Sequence, residues 1–88
     1  MSWEISYRSS VEKDLARLPQ QVRVHVLKKI VELGDDPIPP GCKKLRGSQH
    51  RYRLRVAGDY RVVYSLFREN RLIKIEFVGH RKDAYRWF

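Results

Sequence analysis

The spacing of the apolar residues changes at residues 35–41, and this change divides the chain into a helical half and a stranded half. Before this segment, Val22, Val26 and Ile30 recur four residues apart, as one face of a helix requires. After it, apolar residues and arginines alternate over residues 51–56, which is the period of a strand with two different faces. The segment holds three prolines and ends in glycine, so it is predicted to be a stiff connector.

The first half is predicted to form one strand followed by two helices. Large apolar and polar residues alternate over residues 3–7, which predicts a strand with one buried face. Two serines offer an N-cap for a short helix over residues 10–18. A second helix is predicted over residues 19–33, with Pro19 in its first turn and Gly34 as a left-handed C-cap.

The second half is predicted to form three antiparallel strands, over residues 51–56, 60–67 and 72–78. Gly58-Asp59 and Glu69-Asn70 supply the two turns. The tail that follows is expected to turn at a glycine and to dock its terminal aromatic side chains on the body of the protein. The whole chain is therefore predicted to be one α+β domain. Its N-terminal strand and helical hairpin would pack on a small, mainly antiparallel four-stranded sheet.

Composition excludes several classes of protein. A chain of 88 residues has room for one core, and 42% hydrophobic with 33% charged residues suits a folded domain. Cys42 is the single cysteine, which excludes an intrachain disulfide and a cysteine zinc cluster. No secretory signal is visible, and no apolar run approaches the roughly 20 residues of a membrane-spanning helix. We therefore expect a soluble, cytoplasmic protein without a membrane partner.

The charge indicates a polyanionic partner. The chain has 19 Lys and Arg against 10 Asp and Glu, a net charge of +9, and residues 43–61 hold seven of these basic residues with one acid. An ordinary basic surface is the alternative, but clustered guanidinium groups favour phosphate, which they bind through paired hydrogen bonds. The predicted RNA-binding residues are Lys43, Lys44, Arg46, Arg51, Arg53 and Arg55.

Arg61 is the candidate for the centre of a phosphate site. It lies inside the apolar run of residues 60–64, where a charge must reach an open face of the sheet or be paired. An ordinary solvent-facing arginine is the alternative. If the sheet face is concave, Arg61 and part of the row over residues 51–55 would line one cationic groove, with Arg81 nearby.

Of the three histidines, His80 is the candidate for proton transfer. It follows the last predicted strand, and an imidazole titrates near neutrality, as proton transfer requires. The alternative is a charged tail whose Tyr85 and Trp87 cover apolar surface. His25 and His50 are distant from it and lack neighbouring acids at helical or strand spacing, so a metal site is not predicted.

Cleavage of RNA needs no nucleophile from the protein, because the 2′-hydroxyl beside the scissile phosphate can attack it. The protein must orient the RNA, move protons and stabilise the charge on five-coordinate phosphorus. A well-aimed arginine can contribute roughly 3 kcal/mol to that stabilisation. Tyrosines can stack on unpaired bases for about 1 to 3 kcal/mol each, and Tyr85 is the one we expect to be available for this.

Four motifs, in this order, resemble the RelE group of the RelE/ParE toxin superfamily. They are Lys44-Leu45-Arg46-Gly47, Tyr52-Arg53-Leu54-Arg55, Asp59-Tyr60-Arg61-Val62-Val63-Tyr64, and Gly79-His80-Arg81 followed by Asp83 and Tyr85. The resemblance covers nearly the whole chain. It implies a toxin of a type II toxin–antitoxin pair that enters the ribosomal A site and cleaves messenger RNA there, without a metal or other cofactor.

The resemblance also implies roles for individual residues. Arg61 would hold the scissile phosphate, Arg81 would stabilise charge or assist the leaving oxygen, and Tyr85 would orient or stack the substrate. Arg53 and Arg55 fall where the family has basic residues on the second strand.

Some relatives have lysines on that strand that can act as a base, whereas arginines, with a pKa above about 12, are poor bases. His80 is the hypothetical substitute. The implied partners are the ribosome with its mRNA and rRNA, and a cognate antitoxin. The antitoxin would bring acidic and apolar residues against the basic face in a heteromeric complex.

Two other functions are compatible with the sequence. A ParE-type protein shares the fold, poisons DNA gyrase and does no RNA chemistry. A non-catalytic RNA-binding or ribosome-binding module is the second alternative. The combination of His80-Arg81, Tyr85 and the second-strand arginines argues against the ParE-type protein, and the non-catalytic module stays an open alternative.

Overall fold

The computed structural model describes residues 2–87 as a five-stranded mixed sheet with helices on both faces. The elements are β1 (Glu4–Tyr7), α1 (Val11–Ala16), α2 (Gln20–Leu33), β2 (Lys43–Lys44), β3 (Arg51–Val56), β4 (Tyr60–Phe67), β5 (Leu72–His80) and α3 (Arg81–Ala84). Single 3₁₀ turns span Arg68–Asn70 and Tyr85–Trp87. The strand order is β1-β5-β4-β3-β2, with β1 parallel to β5 and the other pairs antiparallel.

The predicted α+β class and helical hairpin are confirmed, and the sheet has five strands instead of the predicted four. The additional strand is β2, a two-residue edge strand that pairs with β3. α1 is shorter than predicted, and Ser10 takes its N-cap position without a capping hydrogen bond from the side chain. A strand of two residues has no readable alternation, which is why the sequence did not indicate it.

The larger core lies between the helical hairpin and one face of the sheet. Val26 and Ile30 of α2 pack there with Tyr64 of β4 and Ile75 of β5, all with no exposed surface. β1 pairs with the first half of β5 alone. Beyond it, α1 covers the strand, and Asp14 Oδ2 accepts a hydrogen bond of 3.2 Å from the backbone N–H of Val78.

A smaller core covers part of the opposite face. Leu45, Val63, Phe77 and Ala84 form it, and Trp87 packs against them. The guanidinium groups of Arg8 and Arg51 lie 5.5 and 5.2 Å from the centre of the Trp87 ring. The tail therefore docks through Trp87, while the other terminal aromatic residue, Phe88, lies outside the described residues.

Two glycines have different roles from those predicted. Gly34 has φ −60° and ψ −30°, so the predicted left-handed C-cap is wrong. Its carbonyl oxygen instead accepts a hydrogen bond from Trp3 N at 2.6 Å, and a Cβ there would lie 3.2 Å from Val31 O. Gly79 does not turn the chain, because β5 continues to His80. A Cβ on Gly79 would lie 2.6 Å from Cζ of Phe77, so close packing accounts for both glycines.

None of the helices between residues 2 and 87 combines the length and the apolar character that crossing a membrane requires.

Candidate functional site

Strand register places two arginines side by side on the sheet face away from α1 and α2. Arg55 of β3 is paired with Arg61 of β4, which is paired in turn with Gly79 of β5. Directly paired residues project from the same face of a sheet. Arg53 is paired with Val63, a member of the smaller core, which identifies this face. The face thus has an apolar part under the C-terminal segment and a cationic part beside the β3–β4 turn.

Arg61 is buried, with 6% of its surface exposed. Its Nη1 donates hydrogen bonds to the carbonyl oxygens of Gly58 at 2.8 Å and Tyr60 at 3.0 Å. Burial, followed by the charges of Arg55, Arg53 and Arg81, holds the pKa of Arg61 below its ordinary value, and Asp59 partly offsets this. Both hydrogen bonds use Nη1, so Nε and Nη2 make none to residues 2–87.

The same turn holds Arg81. The backbone N–H of Arg81 donates to the carbonyl oxygen of Asp59 at 2.7 Å, and its Nε lies 3.8 Å from Asp59 Oδ1. Ala57 and Gly58 give the turn its shape through φ values of 50° and 78°. The structure therefore brings Arg61 and Arg81, which are 20 residues apart in sequence, to one end of the sheet.

Three further predicted RNA-binding residues belong to this cationic face. Lys43 of the edge strand is paired with Arg53, so it projects from the same face as Arg53 and Arg55. The three side chains also line a cleft of about 470 Å³ beside the proline-rich connector. We call Lys43, Arg53, Arg55, Arg61 and Arg81 the cationic face.

The other predicted RNA-binding residues lie apart from the cationic face. Lys44 is paired with Tyr52, a member of the larger core, and so projects from the helix-bearing face. Arg46 is exposed in the turn after β2. Arg51 stacks on the Trp87 ring.

The structure does not place His80 beside Arg61. His80 is paired with Tyr60, and the two ring centroids are 5.4 Å apart, so the imidazole projects from the helix-bearing face. Its Nδ1 accepts a hydrogen bond from Lys82 N at 3.1 Å. His80 also lines a cavity of about 520 Å³ with Asp14 of α1.

Tyr85 is 65% exposed and begins the 3₁₀ turn after α3. Its position is set by Ala84, which is buried against Val63 and Phe77 in the smaller core.

Sequence reasoning missed the contacts of two acids. Asp59 was assigned to a turn, and the structure shows both its carbonyl oxygen and its carboxylate against Arg81. Its position next to Tyr60-Arg61 in the motif was the available signal. Glu76 is buried and accepts a hydrogen bond of 2.7 Å from Ser65 Oγ, at an irregularity in the β4–β5 pairing. Nothing in the local pattern indicates that irregularity.

Within residues 2–87, no group of three His, Cys, Asp or Glu side chains is arranged to hold a metal ion.

Comparison with known proteins identifies the family. A family model described as the ParE toxin of type II toxin–antitoxin system, parDE, matches residues 5–85. The chain belongs to the RelE/ParE toxin superfamily. Among relatives of this RelE/ParE toxin, a candidate toxin RelE1 of Methanocaldococcus jannaschii is 33% identical over 90 residues, covering 98% of both chains.

Solved structures of RelE proteins share the fold of this RelE/ParE toxin. A double arginine-to-alanine mutant of Escherichia coli RelE in the free state has a TM-score of 0.82 at 25% identity, covering 99% of this chain and 92% of that chain. In a RelE–RelB complex from Pyrococcus horikoshii, one chain has a TM-score of 0.79 at 31% identity, covering 92% of this chain and 97% of that chain.

Proposed function

We propose that this RelE/ParE toxin is a cytoplasmic, ribosome-dependent endoribonuclease. It cleaves messenger RNA in the A site by attack of a 2′-hydroxyl on the adjacent phosphate. The observation that carries the proposal is the arrangement of Arg61 and Arg81 around one turn, beside Arg53 and Arg55. The relatives that bear the RelE name support the choice of RNA as the target.

The electrostatics of the cationic face favour an anionic ligand. Arg55 lies directly opposite Arg61, and like charges in that position destabilise a sheet. The pKa of Arg61 is lowered, first by burial and then by the neighbouring arginines, so its charged form is held at a cost. A phosphate bound between these groups relieves the repulsion, and that free energy becomes available for binding.

The chemistry follows from the groups that the face presents. Arg61 holds the scissile phosphate through its Nε and Nη2 groups, and Arg81 stabilises negative charge on the leaving oxygen. Lys43, Arg53 and Arg55 guide the RNA backbone.

Groups outside the cationic face take other roles in the proposal. Tyr85 stacks on a base near the cut. Arg51 steadies the C-terminal segment through Trp87. Lys44 lies in the edge strand and Arg46 in the turn after it, and we assign both to contacts with ribosomal RNA.

His80 is the candidate for proton transfer. Since its Nδ1 accepts a hydrogen bond, the neutral ring carries its proton on Nε2. The ring lies on the other face of the sheet from Arg61, so the RNA must pass around the end of β5 to meet both. A His80→Gln variant that keeps both the rate and the pH profile of cleavage excludes this role.

The test is cleavage on translating ribosomes, read by toeprinting with the purified protein. The wild type is expected to cut at a fixed codon position. Arg61→Ala and Arg81→Ala are each expected to lower the rate by about 100- to 1,000-fold, as removal of one oxyanion donor does. Lys28→Ala, which removes one charge from the exposed side of α2, is the control. No cleavage by the wild type overturns the proposal, and full cleavage by Arg61→Ala overturns the site.

Folding must be measured alongside, because the two arginines differ in burial. Arg61→Ala removes the two hydrogen bonds that Nη1 donates to the carbonyl oxygens of Gly58 and Tyr60 and is expected to lower the free energy of unfolding by about 1 to 3 kcal/mol. The side chain of Arg81 is 55% exposed, so Arg81→Ala is expected to change the free energy of unfolding by less than about 0.5 kcal/mol. Rates are therefore compared at temperatures where urea titration shows both variants to be folded.

We also propose that a cognate antitoxin binds this chain in a heteromeric complex. The P. horikoshii neighbour is a RelE–RelB complex, and another is the RelBE2 toxin–antitoxin complex of Mycobacterium tuberculosis. The antitoxin is expected to supply acidic residues against the cationic face and apolar residues beside them. Co-expression with the antitoxin gene and co-purification at two salt concentrations test this.

A ParE-type activity is the second candidate, because the matching family model carries the ParE name. Gyrase-linked DNA breaks in place of codon-position cleavage would support it. Ribosome binding without cleavage would support the non-catalytic module instead.

A further inference from the structure

We propose that Asp59 is a positioning residue that holds Arg81 beside Arg61, so that the β3–β4 turn assembles the two arginines into one phosphate site. The inference rests on the proposed endoribonuclease function and adds a residue to it. Asp59 would not touch the substrate. It acts through Arg81.

Three consecutive residues of the turn bind the two arginines. The carbonyl oxygens of Gly58 and Tyr60 accept hydrogen bonds from Arg61 Nη1, at 2.8 and 3.0 Å. The carbonyl oxygen between them, that of Asp59, accepts one from Arg81 N at 2.7 Å. The turn therefore fixes the start of α3 relative to the side chain of Arg61.

The carboxylate of Asp59 orients the Arg81 side chain. Asp59 Oδ1 lies 3.8 Å from Arg81 Nε. A contact through Nε leaves the Nη1–Nη2 edge of the guanidinium for a second anion. Asp59 also raises the pKa of Arg61 against the effect of the surrounding arginines. Asp59 thus favours the charged form of Arg61 and orients the side chain of Arg81.

Neither the strength of the ion pair nor RNA affinity accounts for the contact between the Asp59 carboxylate and Arg81. The side chains of Arg81 and Asp59 are 55% and 65% exposed, and ion pairs this exposed contribute little to folding. A carboxylate on a cationic face weakens the attraction for a polyanion. Asp59 is nevertheless the single acid among residues 43–61. Orientation of Arg81 accounts for the acid at this position.

The test compares Asp59→Asn with Glu69→Gln in single-turnover cleavage on ribosomes. Both changes add one unit of net charge, and Glu69 is exposed at the far end of β4. For Asp59→Asn we expect the rate at saturating toxin to fall about 10- to 100-fold, as misplaced catalytic groups do, while the half-saturating concentration stays the same or falls. Glu69→Gln is expected to keep the wild-type rate. Asp59→Ser, a second turn-compatible variant, should repeat the loss.

The double variant with Arg81→Ala separates positioning from a general structural effect. If Asp59 acts through Arg81, Asp59→Asn lowers the rate no further once Arg81 is removed. A full wild-type rate in both Asp59 variants overturns the inference, and so does an additional equal loss in the Arg81→Ala background. If the wild type itself does not cleave on ribosomes, the proposed function is overturned. Failure of the inference about Asp59 is therefore distinguishable from failure of the proposed function.

Discussion

Arg61 shows how one residue can join folding to the proposed chemistry. Its Nη1 closes the β3–β4 turn through two backbone carbonyl groups, and its guanidinium is buried where the charges of neighbouring arginines lower its pKa. A lysine has a single nitrogen at its end and lacks the planar fork that binds two groups at once. We therefore expect Arg61→Lys to lower both the free energy of unfolding and the rate of cleavage.

Tyr64 gives a pH-dependent prediction at the residue scale. Its hydroxyl donates to the carbonyl oxygen of Pro37 at 2.8 Å, and burial, followed by Cys42, raises its pKa above the ordinary 10.0. The unfolded chain releases this proton near pH 10 while the folded chain retains it. The contribution of Tyr64 to stability is thus complete below pH 10 and is lost as the pH rises further.

The measurement is urea unfolding of the wild type and Tyr64→Phe between pH 9 and pH 11. The wild type is expected to lose about 1.4 kcal/mol more than the variant over this range, because Phe has no proton to release. At pH 7 the variant should be less stable by about 1 kcal/mol, through the lost hydrogen bond. The lowered pKa of Arg61 acts in the opposite direction, but it is present in both proteins and leaves the difference unchanged. Parallel stability curves would contradict the prediction.

At the scale of elements, β5 connects the two cores and carries the C-terminal segment. Its first half pairs with β1, its second half lies against α1, and α3 begins where it ends. Phe77 of β5 folds its ring over Gly79, which brings the ring into the smaller core with Val63 and Ala84. The position of Arg81 therefore depends on how β5 packs.

Gly79→Ala tests this dependence. A Cβ would lie 2.6 Å from Cζ of Phe77, so the ring must move, and we expect a loss of about 1 to 3 kcal/mol in the free energy of unfolding. Gly47→Ala, at a turn glycine with positive φ and no atom within 4 Å of the new Cβ, compares backbone strain with steric overlap. Restoration of stability by Gly79→Ala with Phe77→Leu would assign the loss to the ring. An equal loss of unfolding free energy from Gly79→Ala in the wild type and in the Phe77→Leu background would contradict this assignment.

At the scale of the whole molecule, a net charge of +9 is placed unevenly. The five basic residues of the cationic face project from one side of the sheet or lie at its β3–β4 turn. A protein that contacts RNA phosphates loses affinity with salt, by a slope of about −0.7 in log K against log salt for each contact with a single strand. The cationic face as a whole predicts a slope of about −3.5.

Filter binding of a short single-stranded RNA across a salt series measures this slope. Arg55→Ala is expected to reduce its magnitude by about 0.7, whereas Lys28→Ala, on α2, leaves it unchanged. Equal effects of the two variants would mean that net charge, and not the cationic face, sets the affinity.

Much of the fold could be predicted from local patterns. One helix is indicated by the i, i+4 spacing of Val22, Val26 and Ile30, and one strand by the alternation over residues 51–56. The period of a single element is visible in its own residues. The alternation also separated the arginines of β3 from its apolar residues, which the structure places on opposite faces. The docking of Trp87 was also predicted, because covering a large aromatic side chain removes much apolar surface from water.

The arrangement of the candidate site was decided by the tertiary structure. Lys43 and Lys44 are adjacent and alike in sequence, yet pairing with β3 sends them to different faces. His80 and Arg81 are also adjacent, and the end of β5 separates the imidazole from the arginine pair. Gly34 is also approached by Trp3 and Ile5 from the start of the chain, and packing in the smaller core holds the ring of Phe77 over Gly79. Strand register and close packing involve residues that are distant in sequence, so local periodicity determined the elements, while long-range contacts determined which side chains meet.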